Sequence, residues 1–260
     1  MLSGFLLCIQ FFTVIPYKKE IPWERKAIQW CLVFFPIVGL FIGLIGFLQY
    51  WLLITYTPFP VVFISLWILF YFIAITGGLH IDGWMDCSDA FFSYRDKEKR
   101  LQIMDDPRVG SFAVLSVIFL LAFRFLFLYE ILNTSFILTA AGMLVIPVLT
   151  RGMVVYSLVN GKLSKHTGLA AAFQKEVKYK TVMWSSLVVI LLLSMITISL
   201  PISFYSVTLV CAALLFHTVF YSFCLKQFGG INGDTLGALL EGGENFLWFI
   251  LWLLLYFVMV

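Results

Sequence analysis

Long apolar runs constrain this chain more than any other feature. A helix needs about 20 residues to cross a bilayer's hydrocarbon core. Apolar runs near that length stand at about 31–56, 61–75, 112–132, 136–159, 181–200, 204–225 and 246–260. The last is short for a span unless its helix begins nearer Leu236. Only 12% of the residues are charged, against about 25% in a soluble domain. The expected architecture is all-α: one polytopic integral membrane bundle over residues 1–260, with about seven spans. Gly39 and Gly43 form a GxxxG in the first run, which permits close helix approach. Pro147 should kink the fourth.

The basic residues orient the bundle. Of the seventeen lysines and arginines, all but Arg124 and Arg151 lie in 17–30, 78–110, 160–180 and 225–245. The turns at 57–60, 133–135 and 200–203 carry none. Those four loops therefore share one side, and the positive-inside rule makes it the cytoplasm. Localisation in the cell (cytoplasmic) membrane follows, with the working face inside. Residues 1–16 lack the basic start and small-residue cleavage site of a signal peptide. They read as an interfacial or re-entrant segment, or as a short span. The five cysteines are odd in number and show no CxxC spacing, which argues against a disulfide framework or zinc site. A net charge of +3 split among loops does not suggest a nucleic-acid partner.

The most informative polar stretch is 76–111, TGGLHIDGWMDCSDAFFSYRDKEKRLQIMDDPRVGS, with six aspartates and Glu98 among the chain's fourteen acidic residues. Asp82, Asp86 and Asp89 are spaced i, i+4, i+7 and fall on one helix face. At ~6 Å and an effective dielectric of ~20, each pair of carboxylates repels by roughly 3 kcal/mol. Either a cation neutralises them or one holds a proton. Oxygen ligands on one face suit a hard divalent cation such as Mg²⁺, which completes its octahedron with water and substrate phosphate. The competing reading is a solvated helix face, but no lysine or arginine stands within four residues of any of the three. By contrast, Arg95–Arg100 alternate in sign and read as a solvated face.

Further on, Asp106 and Arg108 could supply a metal ligand and a phosphate fork, or simply turn the chain into the membrane at Pro107 and Gly110. The segment 226–245 reads as a glycine-rich acidic loop, with Asp234 and Glu241 seven apart and Glu244 beyond; it contains no Walker-type sequence. Arg124, near the middle of a span, costs about 2.5–3.5 kcal/mol on insertion scales. It reads either as an ion pair with Glu130 or a polar carbonyl, or as a charge lining a cavity. Arg151 poses the same choice, and its position nearer the loop favours function. His80 and His217 read as packed residues.

Taken together, these motifs resemble the cobalamin synthase family, the adenosylcobinamide-GDP ribazoletransferases. FLLCIQFFTVIP and WCLVFFPIVGLFIG are similar to its opening. GGLHIDGWMDCSDA…RLQIMDDPRVGSFAVL resembles its central motif, GGLHLDG-x-x-D-x-x-D followed by IM-x-D-S-R-x-G-x-F. Arg151 with TGLAAAF (167–173) resembles the middle loop, and GDTLGALLEGGE the closing motif. Ala90, Asp105 and Pro107 depart from the pattern, where glycine, a basic residue and serine are usual.

The resemblance implies that adenosylcobinamide-GDP and α-ribazole, or its 5′-phosphate, give adenosylcobalamin, or its 5′-phosphate, plus GMP, with Mg²⁺ required. Asp82, Asp86 and Asp89 would hold metal, and Asp106 would be a further ligand or general base. Arg108 and Arg151 would face phosphates, and Asp234, Glu241 and Glu244 would bind substrate. Two other classes bear comparison. A CDP-alcohol phosphotransferase pattern fails at Asp86 and Cys87, where alanine and arginine are required. A cation transporter would place its acids near the membrane midplane rather than in loops.

Overall fold

A computed structural model describes residues 1–19, 21–199 and 203–257. The turn expected at 200–203 lies largely outside the described residues, as does the end of the last run, 258–260. The order is α1 (Leu2–Phe12), α2 (Arg25–Tyr56), α3 (Val61–Ile75), α4 (Leu79–Phe92), α5 (Lys97–Met104) and α6 (Ser111–Thr134). Then follow α7 (Phe136–Asn160), α8 (Leu169–Glu176), α9 (Tyr179–Ser199), α10 (Ser203–Phe228) and α11 (Gly233–Phe257). Among the described residues there is no strand; a lone parallel bridge joins Leu163 to Ile231.

Six helices, α2, α6, α7, α9, α10 and α11, are long and apolar enough to cross a membrane. With α3 as a seventh, the bundle matches the expected multi-pass architecture. α3 has 15 residues, which rise roughly 22 Å. With these spans the polar connections before α2, between α3 and α6, between α7 and α9, and before α11 share one face. α1, with 11 residues, rises only about 16 Å and does not span; it packs Leu7 and Cys8 against α2.

α7 is the central post, with 89% of its apolar window buried, against 28% for α6 and 22% for α10. The GxxxG of α2 is what lets α7 approach. A Cβ on Gly43 would overlap the Met143 carbonyl oxygen, and one on Gly39 the Pro147 carbonyl oxygen. Pro147 lacks an N–H, so Met143, four residues earlier, has a carbonyl freed from the helix ladder. Gly43 makes room for that carbonyl. The helix nevertheless runs unbroken through Pro147.

Several boundaries differ from the sequence reading. The first span starts at Arg25, not at residue 31, because nothing between Arg25 and Trp30 stops a helix already begun. The glycine-rich segment 226–245 is not a loop: α10 runs to Phe228, Gly229–Asn232 turn, and α11 starts at Gly233. The reason is a reciprocal cap. Asn232 N donates to Thr235 Oγ1 at 2.7 Å, and Thr235 N donates to Asn232 Oδ1 at 2.9 Å. This early start gives the last helix its full length. The polar segment 160–180 likewise contains a helix, α8.

Candidate active site

The acidic stretch folds as two helices. Gly77 and Gly78, at φ 65° and 74°, adopt the left-handed conformation that glycine takes without steric cost. They turn the chain by 88° between α3 and α4, so α4 leaves the path of the span and lies along the polar face. Its two sides differ. Asp82, Asp86 and Asp89 share one side, while Trp84, Cys87 and Phe91 on the other line an apolar chamber of about 920 Å³ between α4, α6, α10 and α11. α5 carries the alternating charges on an exposed surface, its start capped by Asp96 Oδ1 accepting from Lys99 N at 2.9 Å.

Glycine contacts bring the site together. α4 crosses α11 where Gly83 meets Asp234: a Cβ on Gly83 would lie 2.7 Å from the Asp234 carbonyl oxygen. One on Gly237 would lie 3.0 Å from the His80 carbonyl oxygen. This near backbone-to-backbone contact carries Asp234, in the first turn of α11, to the aspartates of α4. Gly110, the cap residue of α6, likewise makes room for the Asp89 carboxylate; a Cβ there would overlap its oxygens. Asp89 therefore stands over the start of α6, and Asp234 belongs to the start of α11. Both helix ends favour negative charge.

Burial of Asp86, then repulsion from Asp82, Asp234 and Asp89, pushes its carboxyl up to about 7, with Lys165 opposing. Among the described residues no three His, Cys, Asp or Glu side chains come close enough to enclose a metal ion by themselves. At the rim, Asp106 accepts from Arg108 Nη2 at 2.5 Å and Nε at 2.9 Å. That hydrogen bonding to Arg108 holds the Asp106 carboxyl down at about 2.

Arg151, Glu241 and Glu244 lie apart from this open face. Arg124 of α6 donates to Glu241 Oε2 at 2.8 Å and to the Glu241 carbonyl oxygen at 2.7 Å, and stands 3.6 Å from Glu244. Arg151 of α7 pairs with the other Glu244 oxygen and donates to Thr150 Oγ1 at 3.1 Å. All four charges are buried. Of the two partners expected for Arg124, a polar carbonyl is found in that of Glu241, whereas Glu130 instead accepts from Tyr256 Oη at 3.1 Å. A glutamate two turns along the same helix cannot reach inward to Arg124, whereas α11 presents Glu241 directly. His80 is buried and stacked on Phe12, and His217 is within 2.7 Å of Ser157 Oγ, so both histidines are packed as expected.

Sequence reasoning passed over two residues. Lys165 stood as one loop lysine among several and Asp105 only as a departure from a motif, yet they pair at 2.7 Å at the edge of the site. Sixty residues separate them, and no local pattern announces the contact.

Fold and site together define a helical, multi-pass integral membrane protein whose acidic side chains converge on one polar face. The chain belongs to the cobalamin-5-phosphate synthase family, whose model it matches over residues 4–252. It is 42% identical over 259 residues to an adenosylcobinamide-GDP ribazoletransferase of Geobacillus sp. (strain WCH70), covering 99% of this chain and 98% of that one. A protein of the same name from Halalkalibacterium halodurans is 36% identical, with 96% and 95% covered. Another from Clostridium botulinum (strain 657 / Type Ba4) is 34% identical, with 94% and 95% covered. No solved structure matches the chain.

Proposed function

We propose that the protein joins adenosylcobinamide-GDP to α-ribazole, or its 5′-phosphate, releasing GMP and forming adenosylcobalamin, or its 5′-phosphate. Family membership supports the reaction class. The observation that carries the site is the convergence of Asp82, Asp86 and Asp234 at the Gly83–Gly237 crossing. A ribose hydroxyl of α-ribazole attacks the phosphorus bonded to cobinamide, the bridging P–O bond breaks with GMP as the leaving group, and the hydroxyl proton passes to solvent. Such transfers rest on positioning and charge neutralisation more than on covalent help from the protein.

The donor set fits Mg²⁺. Every donor is a hard carboxylate oxygen, and the side chains do not close into a cage of three. Mg²⁺ is commonly held by one or two carboxylates, with water and substrate phosphate completing the octahedron. Asp82 and Asp86, with Asp89 beside them, would hold it, and bound Mg²⁺ would supply neutralisation of the diphosphate charge. Asp106, held at about 2 by Arg108, stays charged and is a weak base, so it suits a ligand or a clamp on Arg108 rather than a proton acceptor. Arg108, with 87% of its side chain exposed, would reach a phosphate by exchanging its hydrogen bonds to Asp106 for phosphate oxygens. Arg151, Glu241 and Glu244 position α11 rather than touch substrate. The polar face is cytoplasmic by the positive-inside rule. The CDP-alcohol phosphotransferase and transporter readings lose ground to the match along nearly the whole chain.

The test is GMP release by purified protein from the two substrates across a Mg²⁺ titration, for wild type, Asp82→Asn and Asp86→Asn. Wild type should require Mg²⁺ and both variants should lose most turnover, because charge on the departing oxygen develops in the transition state. Near-normal turnover of both variants at ordinary Mg²⁺ would refute the ligand role.

A further inference from the structure

The rim holds a lysine whose surroundings its visible partner does not explain. Only 17% of the Lys165 side chain is exposed, whereas 69% of Asp105, its partner at 2.7 Å, faces solvent. An ion pair to so exposed a carboxylate contributes little and gives no reason to draw a long, flexible cation out of water. The backbone around it is pinned. Ile231 N donates to the Lys162 carbonyl oxygen at 2.7 Å, and Ser164 N donates to the Ile231 carbonyl oxygen at 2.8 Å. Next along the turn, Asn232 Nδ2 reaches Met104 Sδ at 3.4 Å. Three segments distant in sequence are thus tied together: the end of α5 with Asp105, the 161–168 connection with Lys165, and the start of α11 with Asp234. The positive charge of Lys165 also acts on Asp86 and Asp234. Asp82, Asp86, Asp89 and Asp234, three of them half-buried, repel any polyanion, so a phosphate-bearing ligand seated there is favoured by a fixed cation on its own side.

We infer that Lys165 is a substrate-binding residue that contacts the diphosphate of the nucleotide-linked substrate, exchanging its ion pair with Asp105 for the phosphate oxygens. A lysine ammonium is a compact point charge suited to this exchange. The inference rests on the transfer reaction proposed above, and it also bears on nucleotide binding in the absence of turnover.

The test compares wild type, Lys165→Gln and Asp105→Asn in detergent with Mg²⁺, measuring KM for adenosylcobinamide-GDP and, separately, GDP binding by calorimetry. Lys165→Gln should raise KM and weaken GDP binding by about tenfold or more, the scale of a lost charged hydrogen bond; Lys165→Arg should recover much of it. Asp105→Asn frees the lysine and should leave both quantities unchanged or improved. Unchanged KM and GDP binding in Lys165→Gln would overturn the inference. So would an Asp105→Asn variant that copies the Lys165→Gln defect, because the pair would then be structural. If wild type binds GDP in a Lys165-dependent way but releases no GMP from the two substrates, the proposed reaction fails while the phosphate contact stands.

Discussion

Glu241→Gln separates two accounts of the buried charges in α11. The quartet Arg124, Arg151, Glu241 and Glu244 is neutral as a set and withdrawn from solvent. If Glu241 matters as a hydrogen-bond acceptor, glutamine still accepts from Arg124 Nη1 across the 2.8 Å contact. Interhelical hydrogen bonds inside membranes average only about 0.6 kcal/mol, so the loss would be small. If it matters as a charge, glutamine leaves two guanidiniums facing one carboxylate, the nearer to Arg124 being 3.6 Å away. Breaking a buried pair by removing one partner costs about 3–5 kcal/mol, because the other charge stays uncompensated. The structure favours the second account, since the Arg124 and Arg151 side chains are only 3% and 2% exposed and cannot turn a freed charge to bulk solvent. The assay is half-inactivation temperature in detergent for Glu241→Gln, Arg124→Gln and the double variant. The double variant restores neutrality, leaving Arg151 with Glu244, and should lose much less stability than the two singles combined. Additive losses, or a Glu241→Gln loss below about 1 kcal/mol, would refute charge compensation.

Three further outcomes are expected. Gly83→Ala places a methyl 2.7 Å from the Asp234 backbone oxygen and should lower both folded yield and GMP release by separating α4 from α11; wild-type yield and turnover would show that the crossing can relax. In EDTA, Asp86 at about 7, above its ordinary 3.8, keeps its proton in the folded protein where the unfolded chain has lost it. Its contribution to stability is therefore present below about pH 4 and lost as pH rises through about 7. The melting temperature of Asp86→Asn should fall less between pH 5 and pH 8 than that of wild type, and parallel curves would count against the shift. Finally, Glu98→Cys on a Cys211→Ser background, which removes the exposed native thiol, should resist an impermeant thiol reagent on intact cells. Efficient labelling would reverse the assigned topology.

Much of this architecture was legible because its causes are local. Apolar run length marks the spans, and the i, i+4, i+7 spacing of Asp82, Asp86 and Asp89 puts three acids on one face of a helix that does form. The alternating charges of α5 and the packing use of Gly39 and Gly43 follow from equally short-range patterns. What escaped is set by distance in sequence. The partner of Arg124 lies 117 residues away on α11, while Glu130 merely stands closer along the chain. Helix α11 was hidden by its glycines, which read as loop until the Asn232–Thr235 cap and the contacts of Gly237, Gly242 and Gly243 show why small residues are needed there. Gly242 and Gly243 leave room for Trp84, Phe216 and Met153 from three other helices.

The charges within the membrane and the aspartates outside it belong to one device, because α11 carries both. Asp234 sits in its first turn and Glu241 two turns deeper, about 10 Å along the axis at 1.5 Å per residue. Arg124 grips Glu241 by both its carboxylate and its backbone oxygen, and Arg151 grips Glu244 from the opposite helix, so α11 is clamped against rotation from two sides. A carboxylate stands roughly 6 Å from its helix axis, so a 20° rotation would swing Asp234 by about 2 Å. A misplacement of about 1 Å can cost a hundredfold in rate where catalysis rests on positioning. Glu241→Gln should therefore reduce turnover well below the fraction of protein that remains folded, although Glu241 is buried and paired with Arg124. GMP release per folded molecule equal to that of wild type would show that the glycine crossing alone holds Asp234 in place.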